Sequence, residues 1–222
     1  MVKKRHKVDW NLYIITFIVT SIIFFLGIYI GSLLNEAKVE SIAMDIKSLN
    51  RIMEIQGTNI LLLEALGEKK CIAIETYINE IIPEIERLGG RVAYYEASAE
   101  SKRFNPEEYY RLKRDYTLLL IKYWTLIKKL ETDCEQNIPD IIYFYSNKEC
   151  RDCKKQGIIL DKIKEKHPEV LIFSIDRDLE LSTVDILVAS FNITELPSLL
   201  IDNKPYQGFR DKEEIERLLH VK

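Results

Sequence analysis

The sequence predicts a two-part α+β chain, in which an N-terminal transmembrane helix leads into an α-helical bundle and a C-terminal α/β domain follows with the element order βαβαββα. Three observations predict it. No charged residue lies between Asp9 and Glu36, although the 222-residue chain is 30% charged. From Val39 to Leu130 apolar residues recur three and four positions apart, the period of a helix with one buried face. After Ile138 that period gives way to short β-rich runs separated by amphipathic stretches. The boundaries fall at residues 1–35 for a basic flank and anchor, 36–137 for a helical bundle or coiled-coil stalk, and 138–222 for the α/β domain.

The charge-free run Trp10–Asn35, at about 1.5 Å per residue, exceeds the roughly 30 Å of a hydrocarbon core. A cleavable signal peptide would have an apolar run of about 7 to 15 residues and a small-x-small site, which Gly31, Ser32, Leu33 and Leu34 match poorly. The run therefore reads as an uncleaved anchor, with Trp10, Tyr13 and Tyr29 placed for the two interfaces. Lys3, Lys4, Arg5 and Lys7 precede it, whereas Lys38 and Lys47 beyond it are opposed by Glu36, Glu40 and Asp45. The positive-inside rule then places the N-terminus in the cytoplasm and everything after residue 35 outside, in a single-pass cell-membrane protein whose first partner is the lipid bilayer. Gly27-x-x-x-Gly31 is the spacing by which two such helices approach closely, which would give a homodimer.

With 32 basic against 35 acidic side chains, and the basic excess confined to the first nine residues, the remainder is acidic. That argues against nucleic acid as a partner. Dense aliphatic residues and only 8 Gly and 6 Pro argue against disorder. No phosphate loop, nucleotide fingerprint or Ser-His-Asp pattern is present, so no cofactor is expected.

The first helical stripe runs through Val39, Ile42, Ile46, Leu49, Met53, Ile60 and Leu63, interrupted by Gln56, and its other use would be an intermolecular coiled coil. The second passes Cys71, Ile74, Ile78, Ile81, Ile85 and Leu88, with Pro83 and Gly89-Gly90 expected to kink or interrupt it. The third opens at Asn105-Pro106-Glu107-Glu108, a cap residue, a first-turn proline and acidic residues suited to the helix dipole. It continues through Tyr109, Leu112, Tyr116, Leu119, Tyr123, Leu126 and Leu130. Three helices of this length fold back on one another, and the stripes, with Trp124, are core. If the second and third turn near residues 100–105, Cys71 faces Cys134, and an oxidising compartment would join them as a structural disulfide. Their alternative role is a second redox pair.

In the last third, the strand-like run Ile141–Tyr145 leads through Ser146-Asn147-Lys148-Glu149 to Cys150-Arg151-Asp152-Cys153, which opens a helix stopped at Pro168. A strand ending at Asp176 follows, then a helix around Ser182–Phe191, a strand after Leu196-Pro197, a turn at Asn203-Lys204, a short strand, and a final helix from Asp211. The first two strands, linked by a helix, should be parallel neighbours.

These residues resemble the thioredoxin superfamily. The carriers are Cys150 and Cys153 at a strand-to-helix junction, the acidic strand end Asp176 and Asp178, the Leu196-Pro197-Ser198 step, and Gly208 in the following hairpin. The likeness covers about residues 138–222, a minimal core without the extra N-terminal strand and helix of larger members. It implies a protein disulfide oxidoreductase or isomerase acting on protein thiols and disulfides and reset by a redox partner, with Cys150 as nucleophile and Cys153 as resolving thiol. It also implies that Pro197 is cis and that the backbone of Leu196 aligns the substrate. Lys148, Arg151 and Lys154 would lower the Cys150 thiol pKa, and Glu149 and Asp152 would oppose them. The family's tryptophan and Gly-Pro are replaced by Glu149 and Arg151-Asp152, and Phe144 stands where thioredoxins keep a buried acid.

Rival readings stay open here. The pair Cys150 and Cys153 would be an inert disulfide in a docking module of a non-catalytic assembly protein, or all four cysteines would hold zinc, although only one C-x-x-C exists and no His is suitably spaced. His6, His167 and His220 read as solvated, and Asn192-Ile193-Thr194 matches a glycosylation sequon.

Overall fold

The computed structural model describes residues 10–97 and 106–221, and the side chains of these except 12, 33–41, 56–61, 63, 64 and 68. The basic flank with His6, the turn expected near 100–105 and the cap residue Asn105 lie outside the described residues. By its internal contacts the chain divides into two compact units, Met1–Met44 and Asp45–Lys222.

The first unit is the N-terminal part of helix α1, which spans Trp10–Ala65. Among the described residues one stretch, Tyr13–Ser32, is long and apolar enough to cross a membrane, and none of it is buried inside the protein. Its hydroxyls are turned back on the helix: Thr20 Oγ1 donates to the carbonyl of Thr16 at 2.9 Å, and Ser32 Oγ to that of Tyr29 at 2.8 Å. Such back-bonding hides the polar atoms that an apolar surrounding would penalise.

The second unit contains the rest of α1, helix α2 (Lys70–Ala97), helix α3 (Pro106–Cys134) and the C-terminal domain. α2 buries Ile74, Ile78, Ile81, Ile85, Leu88, Val92 and Tyr95, a stripe alternating by four and three residues. It runs unbroken through Pro83 and Gly89-Gly90, against the expected interruption. Pro83 forfeits one backbone bond, but the buried Ile81, Ile85 and Leu88 on either side keep the helix in register. Gly89 is required by packing, since a Cβ there would meet the Tyr116 hydroxyl at 2.5 Å, whereas a Cβ on Gly90 would meet nothing within 4 Å. On the other flank of α2, Arg87 and Arg91 bind the buried Asp45 of α1 at 3.3 and 2.9 Å, and Ser48 donates to Glu84 at 2.7 Å. Low numbers on α1 meet high numbers on α2, so the two are antiparallel.

The C-terminal domain is built from β1 (Asp140–Tyr145), α4 (Cys153–Lys166), β2 (Leu171–Asp176), α5 (Ser182–Ser190), β3 (Ser198–Ile201), β4 (Lys204–Gln207) and α6 (Lys212–Leu218). The sheet order is β2-β1-β3-β4, with β1 and β2 parallel and β3 antiparallel to both β1 and β4. One face packs Ile141, Tyr143, Leu199 and Ile201 against α4 and α6 through Leu160, Ile163, Ile215 and Leu219. The alternate residues Ile142, Phe144, Phe173 and Leu200 are also buried. Tyr123 of α3 packs on Phe173 with ring centroids 5.6 Å apart, and Trp124 meets Phe191 edge-on at 6.4 Å.

α3 therefore has two partners, α2 and the sheet, and buries more than one stripe: Lys113, Thr117, Leu120, Ile121 and Ile127 join the expected residues, of which Tyr116 is half-buried. Near its end Lys128 and Trp124 donate to the buried Asp140 at the start of β1, at 2.5 and 2.8 Å. Near its start Lys113 donates to Asp176 at the end of β2. The helix thus runs antiparallel to β1 and β2 and is held to them at both ends.

Candidate functional site

The site is a loop at the C-terminal end of β1. Because Ser146 follows the strand and Asp176 and Asp178 close β2 beside it, the loop finds its acceptors on the parallel neighbour. The Ser146 hydroxyl donates to Asp178 at 2.8 Å and accepts the backbone N–H groups of Lys148 and Glu149, both at 3.0 Å. Asp178 also accepts the backbone N–H of Asn147 at 3.0 Å and of Lys148 at 3.2 Å, while Asp176 accepts that of Asp178 at 2.8 Å. The acidic strand end that stood out in the sequence is thus the anchor of the loop.

Cys150 and Cys153 are joined in a disulfide, with Cα atoms 5.4 Å apart. Cys150 is partly exposed and Cys153 is 4% exposed. The helix begins at Cys153, with Asp152 at the cap position, so Cys150 lies ahead of α4 and does not open it as the sequence reading had it. The reason is local: Arg151 and Asp152 form a turn, and the first helical bond runs from Gln156 N–H to the Asp152 carbonyl at 2.9 Å. Cys153 occupies the first helical position, where backbone N–H groups have no intrahelical acceptor. The Tyr143 hydroxyl donates to the Cys153 carbonyl at 2.6 Å, fixing the helix start to β1.

Of the charged residues expected to tune the thiols, Lys148, Glu149, Arg151 and Lys154 are exposed. Asp152 is bound to Lys155 at 2.7 Å, and that hydrogen bond holds its carboxyl below the usual carboxylate range. Leu196-Pro197 is a cis peptide bond, with Leu196 half-buried and Pro197 buried. In the β1–β3 register Phe144 pairs with Ser198, so one further step sets Pro197 level with Tyr145, where the cysteine loop leaves the sheet. Gly208, at φ +80, donates its N–H to the Pro197 carbonyl at 2.8 Å, a left-handed backbone that favours glycine. Phe144 is fully buried, and opposite it the buried Ser198 hydroxyl has no partner among the described residues.

The sequence reading missed a charged group beside the loop, the buried Lys113 and Asp176 with the half-buried Glu96. Lys113, 3% exposed, donates to Glu96 at 2.9 Å and to Asp176. The Asn147 side-chain amide donates to the same Glu96 and, at 3.2 Å, to Asp176. Burial alone would favour neutral Lys113, but Tyr145, Glu96 and Asp176 outweigh it and hold the ammonium above the usual lysine range. No local signal marks this group, since its members lie on three separate segments.

Cys71 and Cys134 are joined in a second disulfide, with Cα atoms 5.7 Å apart. The four cysteines form two separate pairs, so they do not converge on one metal, and no His/Cys/Asp/Glu group among the described residues could hold a metal ion. His167 is buried, not solvated, because it ends α4 against α6, where Nε2 lies 3.2 Å from Glu216. His220 is exposed, as is Asn192. A cavity of about 420 Å³ lies between α2, α3, α4 and β2, bounded by Ile85, Gly89, Tyr116, Tyr123, Ile172 and Phe173, and does not reach the cysteine loop.

No protein-family model matches the chain, and no curated protein matches it. Among solved structures it is similar to thioredoxin-2, described as a component of the malaria parasite protein secretion machinery, at 21% identity over 38% of this chain and 84% of that one (TM-score 0.33). A thioredoxin-like protein from Clostridium perfringens is 21% identical over 37% of this chain and 69% of that one (TM-score 0.32). Oxidised thioredoxin O2 from Arabidopsis thaliana is 17% identical over 43% of this chain and 81% of that one (TM-score 0.32). The C-terminal part of the chain is thus a four-stranded mixed sheet with a dicysteine at the β1–α4 junction and a cis proline before β3, and these similar solved structures are thioredoxins and a thioredoxin-like protein.

Proposed function

We propose that the chain is a single-pass membrane protein, N-terminus in the cytoplasm, that carries an extracytoplasmic thiol-disulfide oxidoreductase site at Cys150 and Cys153. The observation that carries this reading is the asymmetry of the pair: Cys150 is partly exposed on an anchored loop, and Cys153 is buried at the first position of α4. On this reading a substrate meets Cys150 first, and Cys153 resolves the mixed disulfide from inside.

In the reducing direction the Cys150 thiolate attacks one sulfur of a protein disulfide, forming a mixed disulfide and releasing the other substrate sulfur as a thiolate that takes up a proton. The Cys153 thiol gives up its proton and attacks the Cys150 sulfur, which frees the second substrate thiolate and leaves the Cys150–Cys153 disulfide. Two electrons pass from the dithiol to the substrate, and the reverse sequence oxidises a substrate dithiol. The unpaired N–H groups at the start of α4 favour thiolate character nearby. Leu196 and Pro197, at the loop end of β3, align the extended substrate backbone. The Cys71–Cys134 pair, away from this loop, staples α2 to α3.

Exchange is tested by incubating the purified full chain in detergent with a disulfide-containing peptide and a reductant. Turnover is expected from the parent and not from Cys150→Ser; equal turnover in both overturns the assignment. Sidedness is tested with an impermeant thiol label on reduced intact cells, where labelling only after lysis would overturn the topology.

A further inference from the structure

Resting on that dithiol reading, we infer that the α2–α3 hairpin positions Cys150: Glu96 and Lys113 hold the loop of residues 146–149 through Asn147 and Asp176. Neither Glu96 nor Lys113 belongs to the βαβαββα domain, yet both reach its working loop. Lys113 is buried and donates to Glu96 at 2.9 Å and to Asp176. Asn147, three residues before Cys150, donates its side-chain amide to the same two carboxylates, Glu96 and Asp176, the latter at 3.2 Å. The four groups close a ring in which two members come from the hairpin, one from β2 and one from the loop. The Tyr145 hydroxyl adds a contact to Glu96 at 3.4 Å. Asp178 holds the backbone of the same loop from the β2 side, and among the described residues it is the Asn147 side chain that ties the loop to α2.

The consequence lies in the equilibrium of the pair. Reduction of Cys150–Cys153 by two glutathione thiols gives the dithiol and one glutathione disulfide, and the disulfide is favoured as Cys150 is held closer to Cys153. A loop released from the hairpin lets Cys150 wander in the dithiol state and lowers that effective concentration. Asn147 is exposed, so its truncation leaves the core intact.

The test is the equilibrium constant of the Cys150–Cys153 disulfide against glutathione, measured on the full chain in detergent for the parent, Asn147→Ala, Glu96→Ala and the double variant. Each single change is expected to make the disulfide about three- to tenfold easier to reduce, and the double variant less than the product of the two, because both break the Asn147–Glu96 link. Single variants within the parent's error overturn the inference, and so does a double variant whose effect is the product of two independent ones. A parent pair that does not exchange with glutathione at all overturns the oxidoreductase reading, and this inference with it; a parent that exchanges while the variants match it overturns this inference alone.

Discussion

Lys113 of α3 donates to Asp176 at the end of β2, and both side chains are buried. A helix outside the α/β domain thereby supplies the counter-charge for an acidic residue of the loop anchor. Removing Lys113 takes the only cation from the buried Asp176 in this group, whereas removing Asp176 leaves Lys113 its bond to Glu96 at 2.9 Å. Lys113→Ala is expected to lower stability by about 3–5 kcal/mol and Asp176→Ala by less, because Glu96 still pairs with Lys113. Their combination should cost less than the sum by at least about 1 kcal/mol. Urea unfolding of the four proteins measures this, and strictly additive costs would show that the pair does not act as a unit.

The Glu84–Arg87 pair of α2, which Ser48 of α1 also touches, responds to acid. The hydrogen bond from Arg87, opposed by partial burial and helped by Ser48, pulls the Glu84 carboxyl from 4.5 down to about 2. A carboxyl depressed in the folded state contributes stability that is fully present above its unfolded pKa and is lost as pH falls through the folded one. The contribution of Glu84 should therefore disappear between pH 4.5 and about 2. Thermal melts of the parent and Glu84→Gln are expected to differ at pH 7, converge by pH 2, and differ less in high salt because the pair is partly exposed. Melting curves separated equally at all pH values would contradict the assignment.

Two adjacent glycines in α2 should respond oppositely to alanine. Gly90→Ala, with open space around its Cβ, should gain up to about 1 kcal/mol from helix propensity. Gly89→Ala drives a methyl into the Tyr116 hydroxyl and should lose stability despite the same propensity gain, with Tyr116→Phe relieving part of the loss. Equal shifts in melting temperature for the two would mean that Tyr116 does not approach α2.

The Cys71–Cys134 bond closes a separation of 63 residues. In the chain-entropy account its removal by Cys71→Ser with Cys134→Ser costs about 4 kcal/mol. Denaturant midpoints should fall accordingly while the Cys150–Cys153 equilibrium stays at the parent value. A shift in that equilibrium, with little loss of stability, would assign the pair a redox role instead of a stapling one.

Much of the architecture was legible because it is local. The stripe from Ile74 to Leu88 is set by helical period, and Cys150, Cys153 and Pro197 are placed by short-range strand-helix and turn signals. Two local signals misled: Pro83 with Gly89-Gly90 weakens a helix in isolation, but the buried isoleucines around them hold it together. What stayed hidden is non-local. The second buried face of α3 is announced only by doubled apolar positions such as Leu119-Leu120 and Leu126-Ile127, while its most consequential member, Lys113, is polar. Asp176 and Asp178 were visible as an acidic strand end, but their role as loop anchors depends on the parallel register of β1 with β2. Glu96 meets Asn147 across 51 positions of sequence, which no period or motif connects.

The most direct measurement is covalent trapping with Cys153→Ser in cells that express the chain. Without the buried resolving thiol, Cys150 should hold its clients as mixed disulfides, seen as reductant-sensitive adducts on non-reducing gels and absent when Cys150→Ser is added. No adducts from Cys153→Ser, or the same adducts from the double variant, would contradict a thiol-disulfide exchange site at Cys150.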